Sequence, residues 1–207
     1  GMLVTNNDAY AKKARRLRSH GMTRESVDFQ GLGTPSLCEQ GPWYYEMQNL
    51  GYNYRITDIQ CALGLSQLKQ LNEFTKRRRE IVRVYNEAFS DIEGVTIPEL
   101  QAKTNLDHTS WHLYTLQIDF PSFGTSRTEL MKALKDCGIG TQVLYIPVHL
   151  QPWYRANYGY EFGKCPIAED FYSKALSLPL YPGLSSDQIT QVVKSFIRVL
   201  STFRKAT

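Results

Sequence analysis

The sequence predicts a protein of the α/β to α+β class. From about residue 91 onward it reads as a small sheet with helices packed on one face, preceded by a strand and a helix that belong to a larger α/β sheet. Three observations carry this. Capping boxes stand at Thr57–Gln60, Ser126–Glu129 and Ser185–Gln188, each ahead of apolar residues at helical spacing. Segments rich in β-branched and aromatic residues alternate with those helices, at 94–98, 110–119 and 140–147. The opening piece, 1–21, offers one strand and one helix, too little to bury both faces of a strand by itself.

Along the chain, "MLVTN" reads as a short strand ending in a turn signal. "DAYAKKARRLRSHG" reads as a helix with Asp8 as N-cap and Gly21 as its stop. Residues 22–50 have no periodicity, and a loop of that length inside a compact domain is expected to be either functional or wrongly assigned as a loop. Thr57 and Gln60 then open a helix whose stripe is Ile59, Leu63, Leu68, Leu71 and Phe74. Ile81, Val84 and Tyr85 prolong it towards Ser90, so a kink or a handover between domains is expected. Strands at 94–98 and 110–119 follow, the second with Trp111, Leu113 and Thr115 on one face and His112 and Tyr114 on the other. A helix opened by Ser126 and closed by Gly138 leads to a strand at 140–147. An aromatic irregular stretch comes next, then a helix around Ala168 to Leu176. The last helix buries Ile189, Val192, Val193, Phe196, Ile197 and Leu200.

Composition narrows the function classes. No apolar run approaches the roughly 20 residues of a membrane span, and no basic segment followed by an apolar one marks a secretory signal. The net charge of +4 is mild, and the basic run Lys76–Arg79 lies in a helical pattern with no accompanying nucleic-acid motif. Cys38, Cys61, Cys137 and Cys165 form no CxxC pair, which favours reduced thiols in a cytoplasmic protein. His108 and His112 are four apart in a strand-like segment, with no third ligand to complete a metal site.

The candidate functional residues lie in three polar-aromatic clusters. In "GYNYRIT", Asn53 and Arg55 precede the Thr57 helix by four and two residues. An amide, a forked guanidinium and a helix N-terminus suit a phosphate, although an ordinary helix entry with an exposed Arg has the same sequence. In "LYIPVHLQPWY", Tyr145 and His149 flank a strand end, where His149 could donate to an anion such as a diphosphate or could be a loop histidine without a task. His112, in "SWHLY", fits either a substrate contact or a half-buried structural histidine. There is no nucleophile elbow, Walker loop, GxGxxG or glycosidase carboxylate pair. These residues by themselves describe a phosphate-recognising piece.

The ordered segments "GMLVTNN", "RSHGM", "GPWYYEMQNLGYNYRITDIQCALGLSQL", "SWHLY", "GIGTQVLYIPVHLQPWY" and "ALSLPLYPGLSSDQI" resemble the C-terminal part of the DegT-type sugar aminotransferases. These are pyridoxal-phosphate enzymes of fold type I that aminate keto sugars carried on a nucleotide. The "GPWYYEMQ…GYNYR" form together with "YIPVHLQPWY" is most similar to the branch that makes UDP-4-amino-4,6-dideoxy-N-acetyl-altrosamine for pseudaminic acid. The resemblance implies a remnant of the large domain and an interface loop over 1–56, a long connecting helix over 57–90 and the small C-terminal domain over 91–207. It implies a homodimer in which Asn53, with Arg55 beside it, reaches the cofactor phosphate of the partner subunit. Tyr145 and His149, and less directly His112, face the nucleotide sugar. Many relatives carry a histidine where Leu144 stands.

In the family, the lysine that forms the Schiff base lies a few residues before the segment matching "GMLVTN", and the aspartate that holds the pyridine nitrogen lies further upstream. None of the eleven lysines here has a matching context. Gly1-Met2 fits both the family's own sequence and a glycine left ahead of an initiator methionine, so the chain reads as a fragment or as the product of a truncated or split gene. The expected activity, transfer of an amino group from glutamate to a UDP-4-keto-6-deoxy-N-acetyl-hexosamine, is therefore not expected of this chain alone. The alternative is a non-catalytic module that binds a nucleotide sugar or dimerises. Helix faces meant for an absent domain should be left apolar, and self-association is expected.

Overall fold

The computed structural model describes residues 2–31, 43–99, 105 and 108–204. The chain divides into two compact units, residues 1–68 and 69–207.

In the first unit, α1 (Asp8–Arg18) begins at Asn7, not Asp8: the Asn7 side-chain oxygen accepts the Tyr10 N–H at 3.1 Å. Asp8 instead sits in the first turn, and Arg15, Arg16 and Arg18 in the last, each placed favourably for the helix dipole. The expected strand at "MLVTN" is absent. Met2, Leu3 and Val4 are exposed, and among the described residues they have no strand to pair with. The two-residue strands β1 (Met22–Thr23) and β2 (Glu46–Met47) pair antiparallel, Met22 opposite Met47.

Beyond β2 the chain returns to the end of α1. Tyr52 and Tyr54 donate their N–H groups to the carbonyls of Leu17 (2.7 Å) and Arg18 (2.9 Å), and His20 N–H donates to Tyr52 O (2.9 Å). Two carbonyls left free by the helix end are thereby satisfied. The approach is so close that two positions must be glycine. A Cβ on Gly21, whose φ is +70°, would lie 1.7 Å from the Asn49 carbonyl oxygen, and one on Gly51 would lie 2.2 Å from the Gly21 nitrogen. α2 (Asp58–Leu68) then opens on the expected capping box: Gln60 Oε1 accepts Thr57 N–H at 3.0 Å and Thr57 Oγ1 accepts Gln60 N–H at 3.3 Å. None of its residues is buried; Ile59 is 84% and Leu63 63% exposed.

The helix expected to run on towards Ser90 is interrupted at Lys69–Gln70, and α3 (Leu71–Phe89) opens the second unit. Its buried face is Ile81, Val82, Tyr85 and Phe89; Val84, expected on that face, points outward. Three strands form an antiparallel sheet in the order β3 (Val95–Thr96), β4 (Tyr114–Ile118), β5 (Ala175–Leu178). β4 starts four residues later than expected. Without the strand alternation over 110–113, Trp111 turns into the same core as Tyr114, their rings 6.5 Å apart, while His112 is exposed.

The third strand is also not where the sequence placed it. Residues 140–147 contribute a single bridge, Gln142 to Ser177. The ladder partner of β4 is the "ALSL" run, of which two residues were expected to end a helix. All four of its residues are buried, so it shows no alternation to tell strand from helix. The preceding helix, α6 (Pro166–Lys174), stops just before it. α4 (Arg127–Asp136) carries the predicted capping box, with Ser126 N–H donating to Glu129 at 2.8 Å. The aromatic stretch after residue 151 is helical, α5 (Pro152–Tyr158). α7 (Ser186–Arg204) buries Ile189, Val192, Phe196 and Leu200 as expected. Val199 joins them, whereas Ile197 is 39% exposed. Tyr114, Leu116 and Ile118 on one sheet face meet Phe89, Leu130, Leu134 and Phe196 from the helices in a single core. Thr115, Gln117 and Ser177 occupy the opposite face, with Thr115 and Ser177 hydroxyls 2.7 Å apart.

Candidate functional site

In the first unit, backbone bonds hold the Gly51–Tyr54 segment extended, and side chains alternate across it. Tyr52 and Tyr54 stack at 5.0 Å and 9°. Asn53 and Arg55 take the alternate positions, are exposed, and among the described residues make no side-chain hydrogen bond or ion pair. Asn53 is bridged through its backbone to Ser19. The structure thus presents an amide and a guanidinium, both free, just ahead of the α2 N-terminus.

A carboxylate that sequence reasoning missed holds the 28–31 loop in the same unit. Glu46 is 95% buried by exclusion of solvent, with 5% of its surface exposed. It accepts the N–H groups of Gln30 and Gly31 (both 2.7 Å), the Tyr44 hydroxyl (2.8 Å) and Gln48 Nε2 (3.0 Å). The Gln30 N–H above all, helped by the Gln48, Gly31 and Tyr44 donors and opposed by burial, holds its pKa down to about 2. Asp28 works beside it. Its carboxylate takes Lys12 Nζ (2.6 Å) and Arg16 Nη2 (2.9 Å), and these partners, the Lys12 bond foremost, lower its pKa against the effect of burial. Together they tie the 28–31 loop to α1 and to β2, with Phe29 edge-on to Tyr44 at 4.8 Å.

In the second unit, Tyr145 is 76% exposed and lines a cavity of about 630 Å³ with Leu144, Pro147, Ile167, Ala168 and Phe171. Its walls come from the segment before His149 and from the first turns of α6. His149 itself is 9% exposed, in a 3₁₀ turn (Val148–Leu150), and its Nε2 lies 2.6 Å from Glu169 Oε1. Glu169, equally buried, also accepts the N–H groups of Gly163 (2.8 Å) and Cys165 (3.2 Å). Burial acts to raise the Glu169 pKa, but the His149 bond and the two backbone donors outweigh it and lower it on balance. The structure brings Tyr145 and His149 to one neighbourhood and supplies a partner, Glu169, that sequence reasoning did not foresee. His112 lies exposed ahead of β4, and among the described residues only its carbonyl is engaged, by Arg78 Nη1 at 3.2 Å.

Among the described residues no three His, Cys, Asp or Glu side chains cluster as metal ligands, and no helix is long and apolar enough to cross a membrane. Cys61, Cys137 and Cys165 are free thiols; Cys38 lies outside the described residues.

Small antiparallel sheets with helices are shared by many protein classes, and comparison with known proteins supplies the class. The sequence profile of the DegT/DnrJ/EryC1/StrS aminotransferase family matches residues 1–197, and the chain belongs to that family of pyridoxal-phosphate-dependent sugar aminotransferases. The spore coat polysaccharide biosynthesis protein SpsC of Bacillus subtilis is 40% identical over 196 residues, covering 94% of this chain and 48% of SpsC. An uncharacterised protein of Methanocaldococcus jannaschii is 39% identical over 204 residues, 99% of this chain and 50% of that one. Among solved structures, Helicobacter pylori PseC, an aminotransferase involved in the biosynthesis of pseudoaminic acid, matches with a TM-score of 0.77 at 28% identity. That match covers 96% of this chain and 48% of PseC. The aminotransferase TlmJ of Streptoalloteichus hindustanus matches with a TM-score of 0.75 at 27% identity, over 95% of this chain and 46% of TlmJ. The chain spans about half the length of these relatives.

Proposed function

We propose that the chain is the C-terminal part of a nucleotide-sugar aminotransferase that moves an amino group from glutamate to a UDP-4-keto-6-deoxy-N-acetyl-hexosamine. The whole enzyme would act in the cytoplasm as a homodimer. The observation that carries this reading is the docked Gly51–Arg55 segment, with Asn53 and Arg55 free of partners, inside a family match over 197 residues. The donor set fits pyridoxal phosphate. The Asn53 amide and the Arg55 guanidinium would hold the phosphate group, with the first-turn N–H groups of α2 beside them. Bound there, the cofactor supplies the electron sink that amino exchange requires. Tyr145 would line the sugar-nucleotide side, with His149 and, further out, His112. PseC, with its stated role in pseudoaminic acid biosynthesis, supports the keto-sugar class.

None of the chain's lysines stands in the context of the family's catalytic lysine, so the 207-residue chain alone is inactive in this reading. The test is an amination assay with glutamate and the 4-keto sugar, run on this chain and on a chain extended to the relatives' length. Activity only in the extended protein is expected. Turnover by the short chain would sink the claim of inactivity, and none by the extended one would sink the substrate. The exposed apolar side chains of α2 favour a second reading, a module that associates with itself or binds a nucleotide sugar without catalysis. Micromolar UDP-sugar affinity without cofactor would select it.

A further inference from the structure

The face of the second unit's sheet that turns away from the core carries a cavity of about 460 Å³, lined by neither Tyr145 nor His149. Strand register sets its floor. Thr96 on β3 and Gln117 on β4 are cross-strand partners, and Thr115 stands two residues along β4 on the same face. Pro98 and Glu99, just past β3, complete the walls together with the part-exposed Leu113 and Phe171. The Thr115 hydroxyl is spent on Ser177 at 2.7 Å. The Thr96 hydroxyl, the Gln117 amide and the Glu99 carboxylate make no side-chain hydrogen bond or ion pair among the described residues.

These three unspent groups select a ligand by what each can donate and accept. Glu99 is exposed. An exposed glutamate is a carboxylate at neutral pH and only accepts, whereas an amide and a hydroxyl do both. A diphosphate linkage also only accepts, and it would bring more negative charge to Glu99 with no Lys or Arg in the lining. An ammonium only donates, which leaves the Gln117 N–H groups without an acceptor. A hydroxyl answers all three. Phe171, Leu113 and Pro98 add apolar surface beside them, so the cavity matches a ring with hydroxyls at its rim and C–H bonds on its faces. We propose that this cavity is a binding site for a neutral sugar ring, whose hydroxyls meet Gln117, Thr96 and Glu99 while Phe171 packs on a C–H face. Phe171 also lines the Tyr145 cavity, so the two share a wall. That the ring belongs to a nucleotide sugar rests on the function proposed above. Its sugar then lies on the open sheet face, and the apolar Tyr145 cavity takes another part of the ligand.

Nuclear magnetic resonance titration of the 207-residue chain tests this, with N-acetylglucosamine, UDP-N-acetylglucosamine, sodium pyrophosphate and L-glutamate as probes at millimolar concentration. N-acetylglucosamine should shift the Gln117 side-chain NH₂, the Thr96 methyl and the Phe171 ring together, with one saturation curve. Gln117→Leu keeps the bulk and the strand and should weaken that binding roughly threefold to tenfold, the worth of one hydrogen bond. Its urea midpoint should stay where it was. Glu99→Ala, beyond the strand, should weaken binding by a similar factor. Undiminished affinity in both variants overturns the inference, and so does silence of the Gln117 and Thr96 signals with every probe. Saturation of those signals by pyrophosphate or by glutamate overturns the neutral sugar as the ligand class. UDP-N-acetylglucosamine that shifts Tyr145 and leaves Gln117 unmoved overturns the site on the sheet and spares the function proposed above. Sugar binding at Gln117, in a chain whose extended form fails to aminate the 4-keto sugar, upholds the site and removes that function.

Discussion

Replacing Gly51 by alanine should detach the phosphate-suited loop without touching the second unit's core. The added Cβ would meet three backbone atoms, the Gly21 nitrogen at 2.2 Å, the His20 carbonyl carbon at 2.7 Å and the Leu17 oxygen at 2.8 Å. Backbone cannot swing aside as the tip of a side chain can, so the two segments must part. Parting them breaks the bonds from Tyr52 and Tyr54 to the α1 carbonyls and the bond from His20 to Tyr52. At a net worth of roughly 1 kcal/mol each, the three bonds amount to about 3 kcal/mol of local stability. Amide exchange at Tyr52 and Tyr54 should accelerate roughly a hundredfold, since each 1.4 kcal/mol is a factor of ten. Exchange at Leu116 and Leu176, in β4 and β5, should not change. Gly64→Ala is the matched control. It sits in α2 with nothing within 4 Å of the new Cβ, so alanine there should stabilise the helix by about 1 kcal/mol. Undiminished protection of Tyr52 and Tyr54 in Gly51→Ala would refute the account of why this glycine precedes the tyrosines.

Acidification should loosen the first unit through Glu46. Its folded pKa is depressed, so its contribution is complete above the ordinary value of 4.5 and is lost as pH falls towards about 2. Exchange of the Gln30 and Gly31 amides should quicken across that window, and Glu46→Gln should reduce the pH dependence to the part that the Asp28 ion pairs supply. Phe196→Ala removes a fully buried ring 4.9 Å from Phe89 and should cost about 3–5 kcal/mol, read as a lower urea midpoint for the second unit. A change below about 1 kcal/mol, the scale of a surface substitution, would mean that the core does not close there. Asn53→Ala should leave stability within about 0.5 kcal/mol. In a protein extended to the relatives' length it should weaken cofactor binding by roughly tenfold or more, the worth of one hydrogen bond to a charged group. Unchanged affinity in a cofactor titration would free Asn53 of the phosphate role.

Much of the local architecture was legible in the residues, and so was the family. All three capping boxes form, because a Ser or Thr and a Glu or Gln three residues on satisfy each other's backbone with no help from the rest of the fold. The glycines at 21 and 138, read as helix stops, take positive φ just past their helices. The ordered motifs carried the family because they span almost the whole chain. The sequence could not say which run would become the third strand. "ALSL" and "TQVLYIP" are both apolar enough, and only docking beside β4 decided between them, leaving the second with one bridge. Nor could it reveal the two buried carboxylates. Glu46 meets its backbone donors 15 and 16 residues away, and Glu169 meets His149 at a separation of 20. By itself the sequence determined the three helix starts that carry capping boxes, the turns at Gly21 and Gly138 and the family, because those depend on neighbours within a few positions or on the whole string of motifs at once. Only the tertiary structure decided strand pairing, which apolar faces stay open, and that His149 is tied to Glu169. Each of these depends on groups far apart in the chain being brought within hydrogen-bonding or packing distance.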